Sequence, residues 1–236
     1  SGRGIDFPES ESRRILSELE GKRELIELLV ENGAKFGGWF EFALSDLAEL
    51  CDGADGYLGI IEFLLDCGAN VNSVSWRGNP LLHTAVWLQN MELVEFLLAR
   101  HADFRATGRR CRDTLLHIAA ARRAKKSNGM FKNSNTSKLR FLNMAKKSED
   151  LDMINLILGF HLDINAKNEL DQTPLHVAVT TNNLSIVRCL LDNGAAPNVL
   201  NGKGETSLDV AVLYSREAIA LLKEHGGKHS FELYFD

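Results

Sequence analysis

The sequence predicts an all-α fold, a solenoid of antiparallel helix pairs stacked side by side. Three observations predict it. First, a short motif recurs: Pro80-Leu-Leu-His-Thr-Ala-Val86, Thr114-Leu-Leu-His-Ile-Ala-Ala120, Thr173-Pro-Leu-His-Val-Ala-Val179 and Thr206-Ser-Leu-Asp-Val-Ala-Val212. His83 and His117 stand 34 residues apart, and Thr173 and Thr206 stand 33 apart. Periods in this range mark architectures in which each unit buries its apolar face only by stacking on its neighbours. Second, the motifs alternate with apolar stripes at i, i+3, i+4, i+7 spacing, over Met91–Leu98, Leu151–Leu158 and Leu184–Leu191. That spacing is one face of an amphipathic helix. Third, stripes end at turns such as "CGANVN" (67–72) and "NGAAPN" (193–198). Glycine there supplies the left-handed residue that closes a helix.

Length and composition agree with a globular chain. Its 236 residues suit one large or two small domains, enough to bury roughly 70% of the unfolded surface. Hydrophobic residues at 44% and charged residues at 25% are ordinary values. No apolar run approaches the ~18 residues of a membrane-spanning helix. Cys51, Cys67, Cys111 and Cys189 form no CxxC pair and no cluster with histidine. A reducing, intracellular compartment, cytoplasmic or nuclear, is therefore expected rather than a disulfide framework or a zinc site. The chain begins Ser1-Gly2-Arg3-Gly4 without methionine, so it reads as a piece of a longer protein. Targeting signals of the parent are not legible from it.

The repeats resemble those of the ankyrin-repeat family, whose unit is a β-turn finger followed by two antiparallel helices, with a T-P-L-H-x-A signature. The resemblance covers nearly the whole chain and implies one domain, 1–236, of six units and a tail. Unit one, 6–36, is a cap with helices over Arg13–Glu20 and Glu24–Glu31 and no signature. Unit two, 37–74, uses Trp39–Leu50 and Leu58–Asp66 and carries about nine extra residues, 47–55. Units three (75–107) and five (168–200) are nearly regular. Unit four, 108–167, is stretched: His117 and His176 stand 59 residues apart, 26 more than one period. Unit six, 201–228, is two residues short between its helices. In the tail, 229–236, Phe231, Leu233 and Phe235 either pack on unit six as a lid or form a strand-like extension; the cap role is the expectation.

The surplus in unit four is an insertion at 124–149, in the turn between its two helices. Residues 122–147 hold nine basic side chains and no carboxylate: Arg122, Arg123, Lys125, Lys126, Lys132, Lys138, Arg140, Lys146 and Lys147. From Arg100 to Lys147 there are fourteen Lys and Arg against Asp103 and Asp113. With a net charge of −5 overall, the remaining residues carry an excess of 17 negative charges. Ser, Asn and Gly make the first half of the insertion loop-like. Its second half, Ser137–Lys147, has the pattern of a short basic amphipathic helix through Leu139, Leu142 and Met144. Such an insertion costs little stability, because loop-closure entropy grows slowly with length. Three readings stand: a solvated loop, a site for an anionic or acidic partner, or a nuclear-import signal built on Arg122–Lys126.

Catalysis finds little support. His83, His117 and His176 share one place in the repeat, which sets them about one unit apart instead of converging them as metal ligands. The resemblance implies that this histidine bonds neighbouring backbone and ties the finger to the helix. Asp209 stands in the same place in unit six, where a carboxylate would serve as an acceptor. No nucleophile elbow, phosphate loop or dinucleotide fingerprint occurs, and Gly202-Lys-Gly-Glu205 reads as a finger turn. The expectation is a chain that is not an enzyme and uses no cofactor or metal.

Binding remains. The resemblance implies contact through finger tips and the outer side of each first helix. Laid onto that pattern, unit three offers Trp76, Arg77 and Asn79 on its finger and Trp87 and Leu88 on its first helix. Tryptophan and arginine are the side chains most enriched among interface hot spots. The competing possibility is that Trp87 packs under the lengthened turn of unit two and Trp76 folds onto its own finger. Unit four adds Arg109, Arg110, Arg112 and Arg122, suited to bidentate capture of carboxylate or phosphate. Unit five presents Asn168, Glu169, Leu170, Gln172, Thr180 and Thr181; unit six presents Lys203, Glu205, Leu213 and Tyr214. The expected function is an adaptor, scaffold or inhibitor that binds, in the concave groove and through this aromatic and arginine patch, a protein segment of acidic or phosphorylated character. Two alternatives stand beside it: nucleic-acid or nucleotide binding through the basic sector 100–147, and a spacer or self-assembly role.

Overall fold

A computed structural model describes residues 44, 48, 57–75, 78–109, 111–121 and 147–234. The expectations for unit one, for unit two up to residue 56 apart from Leu44 and Ala48, and for Trp76, Arg77, Arg110 and residues 122–146 lie outside the described residues. Among those described, the protein is all-helical, with fingers between successive helix pairs. No helix among them is long and apolar enough to cross a membrane. The chain divides into two compact bodies, one containing the described residues up to Asp103 and the other those from Phe104 onward.

The first body contains α1 (Tyr57–Asp66), α2 (Leu81–Leu88) and α3 (Met91–Ala99). Leu81, Leu82, Ala85 and Val86 of α2 and Leu93, Val94 and Leu97 of α3 are buried, which places the two apolar stripes of unit three in one core. Asn90 caps α3 by accepting from the Leu93 N–H at 2.8 Å. The finger ahead of α2 closes on itself: the Ser75 N–H donates to the Asn79 carbonyl at 2.8 Å, beside an antiparallel bridge from Val74 to Pro80. Arg100 meets Asp66 at 2.7 Å, with its guanidinium over the Phe96 ring.

The second body contains α4 (Leu115–Ala120), α5 (Lys147–Leu158), α6 (Pro174–Thr181), α7 (Leu184–Asp192), α8 (Ser207–Ala211) and α9 (Arg216–Glu224). It ends in a 3-10 turn, Ser230–Tyr234. First helices stack on one another, α6 against α4 and α8, and second helices likewise, α7 against α5 and α9. The core is aliphatic, with Leu115, Leu116, Met153, Ile154, Ile157 and Leu175 fully buried. Pro174 opens α6 at a position whose N–H would have no intrahelical partner.

Two boundaries differ from expectation. Helix α5 begins at Lys147, four residues before the apolar stripe, so residues 147–149 of the insertion are helical. Glu149, Asp150 and Asp152 explain the early start, because acidic residues near a helix N-terminus favour its dipole. The tail forms a 3-10 turn that meets unit six, not a strand. Phe231 is 60% exposed, and the segment is held by polar contacts instead; Phe235 lies outside the described residues.

One element is shared by both bodies. Asn72 accepts from the Asp103 N–H at 2.8 Å in the first, and Asn165 accepts from the Ala196 N–H at 2.8 Å in the second. Each such bond joins the loop after one second helix to the same loop one unit on. The residue that closes these second helices is left-handed throughout: Gly68, Gly194 and Gly226, but also His101 (φ 62°) and His161 (φ 51°).

Candidate protein-interaction surface

The fingers of units five and six are tight turns shaped from inside. Asn168 is buried; its side-chain oxygen accepts from the Leu170 and Gln172 N–H groups, both at 3.0 Å, while its amide donates to Asp113 at 2.9 Å. Asn201 does the same one unit later, accepting from Lys203 at 2.9 Å and Glu205 at 3.0 Å. Neighbouring fingers are also joined through the backbone, by Glu169 N–H to Cys111 carbonyl at 2.8 Å and Gly202 N–H to Leu170 carbonyl at 2.9 Å. What remains at the tips, Glu169, Leu170 and Lys203, is exposed.

The histidines are part of this scaffold. The Thr173 N–H donates to Nδ1 of His176 at 3.2 Å, with the threonine hydroxyl 2.9 Å from the same atom. The opposite nitrogen, Nε2, lies 3.2 Å from the Glu205 carbonyl of the next finger. His117 makes the same set with Thr114 and Gln172. Burial pushes both imidazoles below the ordinary histidine range, and the bonds to the carbonyls oppose that shift without cancelling it. In unit three, Pro80 replaces the threonine, so it offers the His83 ring neither hydroxyl nor N–H. In unit six, Asp209 accepts from Thr206 and from the tail. Burial raises its pKa, but Thr206, His229 and Ser230 together hold the carboxyl far below the usual carboxylate range.

Of the predicted contact residues, Trp87 is 45% exposed at the end of α2, although Leu81 to Val86 ahead of it are all buried. The lengthened turn of unit two, under which the competing reading packs it, lies outside the described residues apart from Ala48. Leu88 and Asn79 are half-buried, and the Asn79 backbone serves its own finger. Arg109 and Arg112 are exposed. Arg112 adopts φ 53°, the left-handed conformation that Gly78 and Gly204 supply at the same place in units three and six. Lys147 opens α5. Trp76, Arg77, Arg110, Arg122, Arg123, Lys125, Lys126, Lys132, Lys138, Arg140 and Lys146 lie outside the described residues.

Three residues expected at the surface of unit five are turned to structure instead. Asn168 is consumed by its finger, as above. The Thr180 hydroxyl donates to the His176 carbonyl at 2.9 Å, and the Thr181 hydroxyl sits 3.1 Å from the Ala120 carbonyl of unit four. Short hydroxyls near the end of a helix find backbone acceptors more readily than solvent. Conversely, Val212 is exposed although it belongs to a repeat motif. Helix α8 stops at Ala211, so Val212 joins Leu213 (75% exposed) and Tyr214 in an outward turn. The two-residue shortfall of unit six was the available signal.

Comparison with known proteins agrees with this geometry. Family models for ankyrin repeats match residues 142–231 as three copies and residues 77–109 as a single repeat, together more than half of the chain. The chain is 28% identical to human Rabankyrin-5 over 158 residues, covering 62% of this chain and 13% of that protein. It is 27% identical to the chicken nuclear factor NF-kappa-B p105 subunit over 183 residues, 75% of this chain and 16% of that protein. Pig NF-kappa-B inhibitor alpha is 35% identical over 75 residues, 30% of this chain and 24% of that protein. The chain thus spans a quarter or less of the length of these relatives. Repeat period, capping boxes, finger turns and family models lead to one conclusion: the chain belongs to the ankyrin-repeat family.

Proposed function

We propose that the domain is a protein-interaction module, an adaptor, scaffold or inhibitor that holds a segment of a partner protein against its finger tips and first-helix ends. One observation supports this above others. Among the described residues the exposed large apolar side chains are Trp87, Leu170, Val212, Leu213, Tyr214, Phe231 and Tyr234. All but the last two, which sit on the tail, lie on a finger or at the end of a first helix. Scattered exposed apolar residues are normal, but within the second body Leu170, Val212, Leu213 and Tyr214 share this register, which marks a binding face there. Exposed Arg109 and Arg112 on the unit-four finger suit an acidic or phosphorylated segment. A relative named as an NF-kappa-B inhibitor supports the same class of role.

The test is capture of partners from a nuclease-treated lysate by the wild type, Trp87→Ala, Leu170→Ala/Leu213→Ala and Arg109→Ala/Arg112→Gly proteins, read by mass spectrometry. Loss of the same protein partner from the substituted domains, with folding intact, supports recognition through these positions. Partners that depend on nucleic acid, with affinity falling steeply as salt rises, would replace this reading with binding through the basic sector.

A further inference from the structure

We propose that Lys228–Tyr234 is a strap that stands in for the finger of a further unit and closes the stack at unit six, keyed by Asp209 and His229. In units four and five, the first-helix histidine directs Nε2 at a carbonyl of the next finger, Gln172 or Glu205. Unit six places a carboxylate at that position, and what comes to meet it is a set of donors. Nδ1 of His229 lies 2.7 Å from Asp209 Oδ1, and the Ser230 N–H donates to Asp209 Oδ2 at 2.9 Å. The Thr206 hydroxyl lies 2.8 Å from the Lys228 carbonyl. The polarity is therefore reversed at Asp209, which accepts where the histidines face a carbonyl, while the Thr206 hydroxyl donates to the Lys228 carbonyl.

The loop ladder ends on the same few residues. Asn198 accepts from the Lys228 N–H at 2.7 Å, as Asn165 does from Ala196, and its amide donates to the Gly226 carbonyl at 3.0 Å. Up to Lys228 the chain follows the path of the earlier units. It then turns inward. The Glu232 N–H returns to the His229 carbonyl at 3.0 Å, the Glu232 carboxylate accepts from the His229 N–H at 3.2 Å, and the Phe231 ring stacks on His229 at 5.4 Å. Gly226 to Ser230 thereby occupies two of the rows of hydrogen bonds by which one unit receives the next, the loop ladder and the contact at the first-helix position 209. A carboxylate has only acceptors to offer, so Asp209 selects this strap and repels a finger that presents a carbonyl. The inference is independent of the partner reading, because it uses none of the finger-tip residues.

The sharpest test restores the repeat's own residue. In Asp209→His the ring, accepting from Thr206 at Nδ1, directs its Nε2–H at the His229 and Ser230 donors. Amide hydrogen exchange of the full chain is expected to show protection at Lys228 and Ser230 falling about tenfold or more, while amides of α6 and α7 keep theirs. His229→Ala and Ser230→Pro, which leave Asp209 in place and remove one donor each, are expected to loosen the strap in the same sense. They read it even where Asp209→His unfolds unit six. The proposal is overturned if Lys228 and Ser230 exchange at unstructured rates in the wild type, or if Asp209→His leaves their protection unchanged.

Discussion

Nε2 of His117 lies 2.9 Å from the carbonyl oxygen of Gln172, the residue just ahead of the threonine that caps the next first helix. On its other side, Nδ1 accepts from the Thr114 N–H at 3.2 Å. Only a neutral ring carrying its proton on Nε2 satisfies both bonds, and His176 repeats the arrangement. Burial places both folded-state pKa values below the ordinary 6.5. The charges facing these rings are Asp113 for His117, and Lys167 and Glu205 for His176.

Stability should therefore fall with acid. Below pH 6.5 the unfolded chain takes up protons that the folded histidines refuse, so the contribution is complete above 6.5 and is lost as pH drops from there towards the folded values. His225 works in the opposite sense: its bond to the Leu221 carbonyl and its contact with Asp192 raise its pKa, but it lies on the surface. Urea midpoints from pH 8 to 5 in a His225→Ala background should decline, and His117→Gln with His176→Gln should flatten the decline. A flat wild-type profile would contradict the buried neutral tautomers.

Asn201 and Lys203 are two residues apart and should behave oppositely. Removing the buried Asn201 side chain leaves the Lys203 and Glu205 N–H groups without their acceptor, at a cost of about 0.5–1.5 kcal/mol. Lys203→Ala should stay within about 0.5 kcal/mol of wild type. Denaturant unfolding of the two variants decides between them.

Arg112→Gly should stabilise the protein by up to about 1 kcal/mol, because a non-glycine residue pays to adopt the left-handed conformation seen there. The same substitution removes an exposed cation from the finger. A rise in thermal midpoint together with weaker partner binding would mark a residue kept for contact at the expense of the fold. A fall in midpoint would mean that the guanidinium contributes more to the fold than its backbone costs.

Asn183 caps α7, accepting from the Ile186 N–H at 3.3 Å, and Asn90 caps α3. Either asparagine replaced by alanine should cost about 1 kcal/mol, checked by urea titration.

The framework was legible because its signals are local and repeated. The Thr-x-x-His pairs, the apolar stripes and the turn glycines each predicted the element that formed. The surface was less legible, because exposure is decided by neighbours. Thr180 and Thr181 look like solvent residues in sequence, yet they bond to carbonyls, one of them across to unit four. Asn168 looks like a finger-tip donor until the turn closes around it. Val212 looks like core until α8 ends one residue early. The tail's apolar residues invited a packing argument, whereas the determinant was Asp209, which breaks the motif by one residue and accepts what the tail donates.

The backbone bonds between adjacent fingers have a wider consequence. Because Glu169 meets Cys111 and Gly202 meets Leu170 through main-chain atoms, tip side chains are never consulted when one finger is aligned on the next. Their lettering can be rewritten one character at a time while the spine that carries it keeps its shape. Gly202 is the reserved character: a Cβ there would stand 3.0 Å from the Leu170 oxygen, so that place belongs to the spine. A lineage of such domains could change allegiance from one partner to another through single substitutions, each read out by a molecule that is still folded.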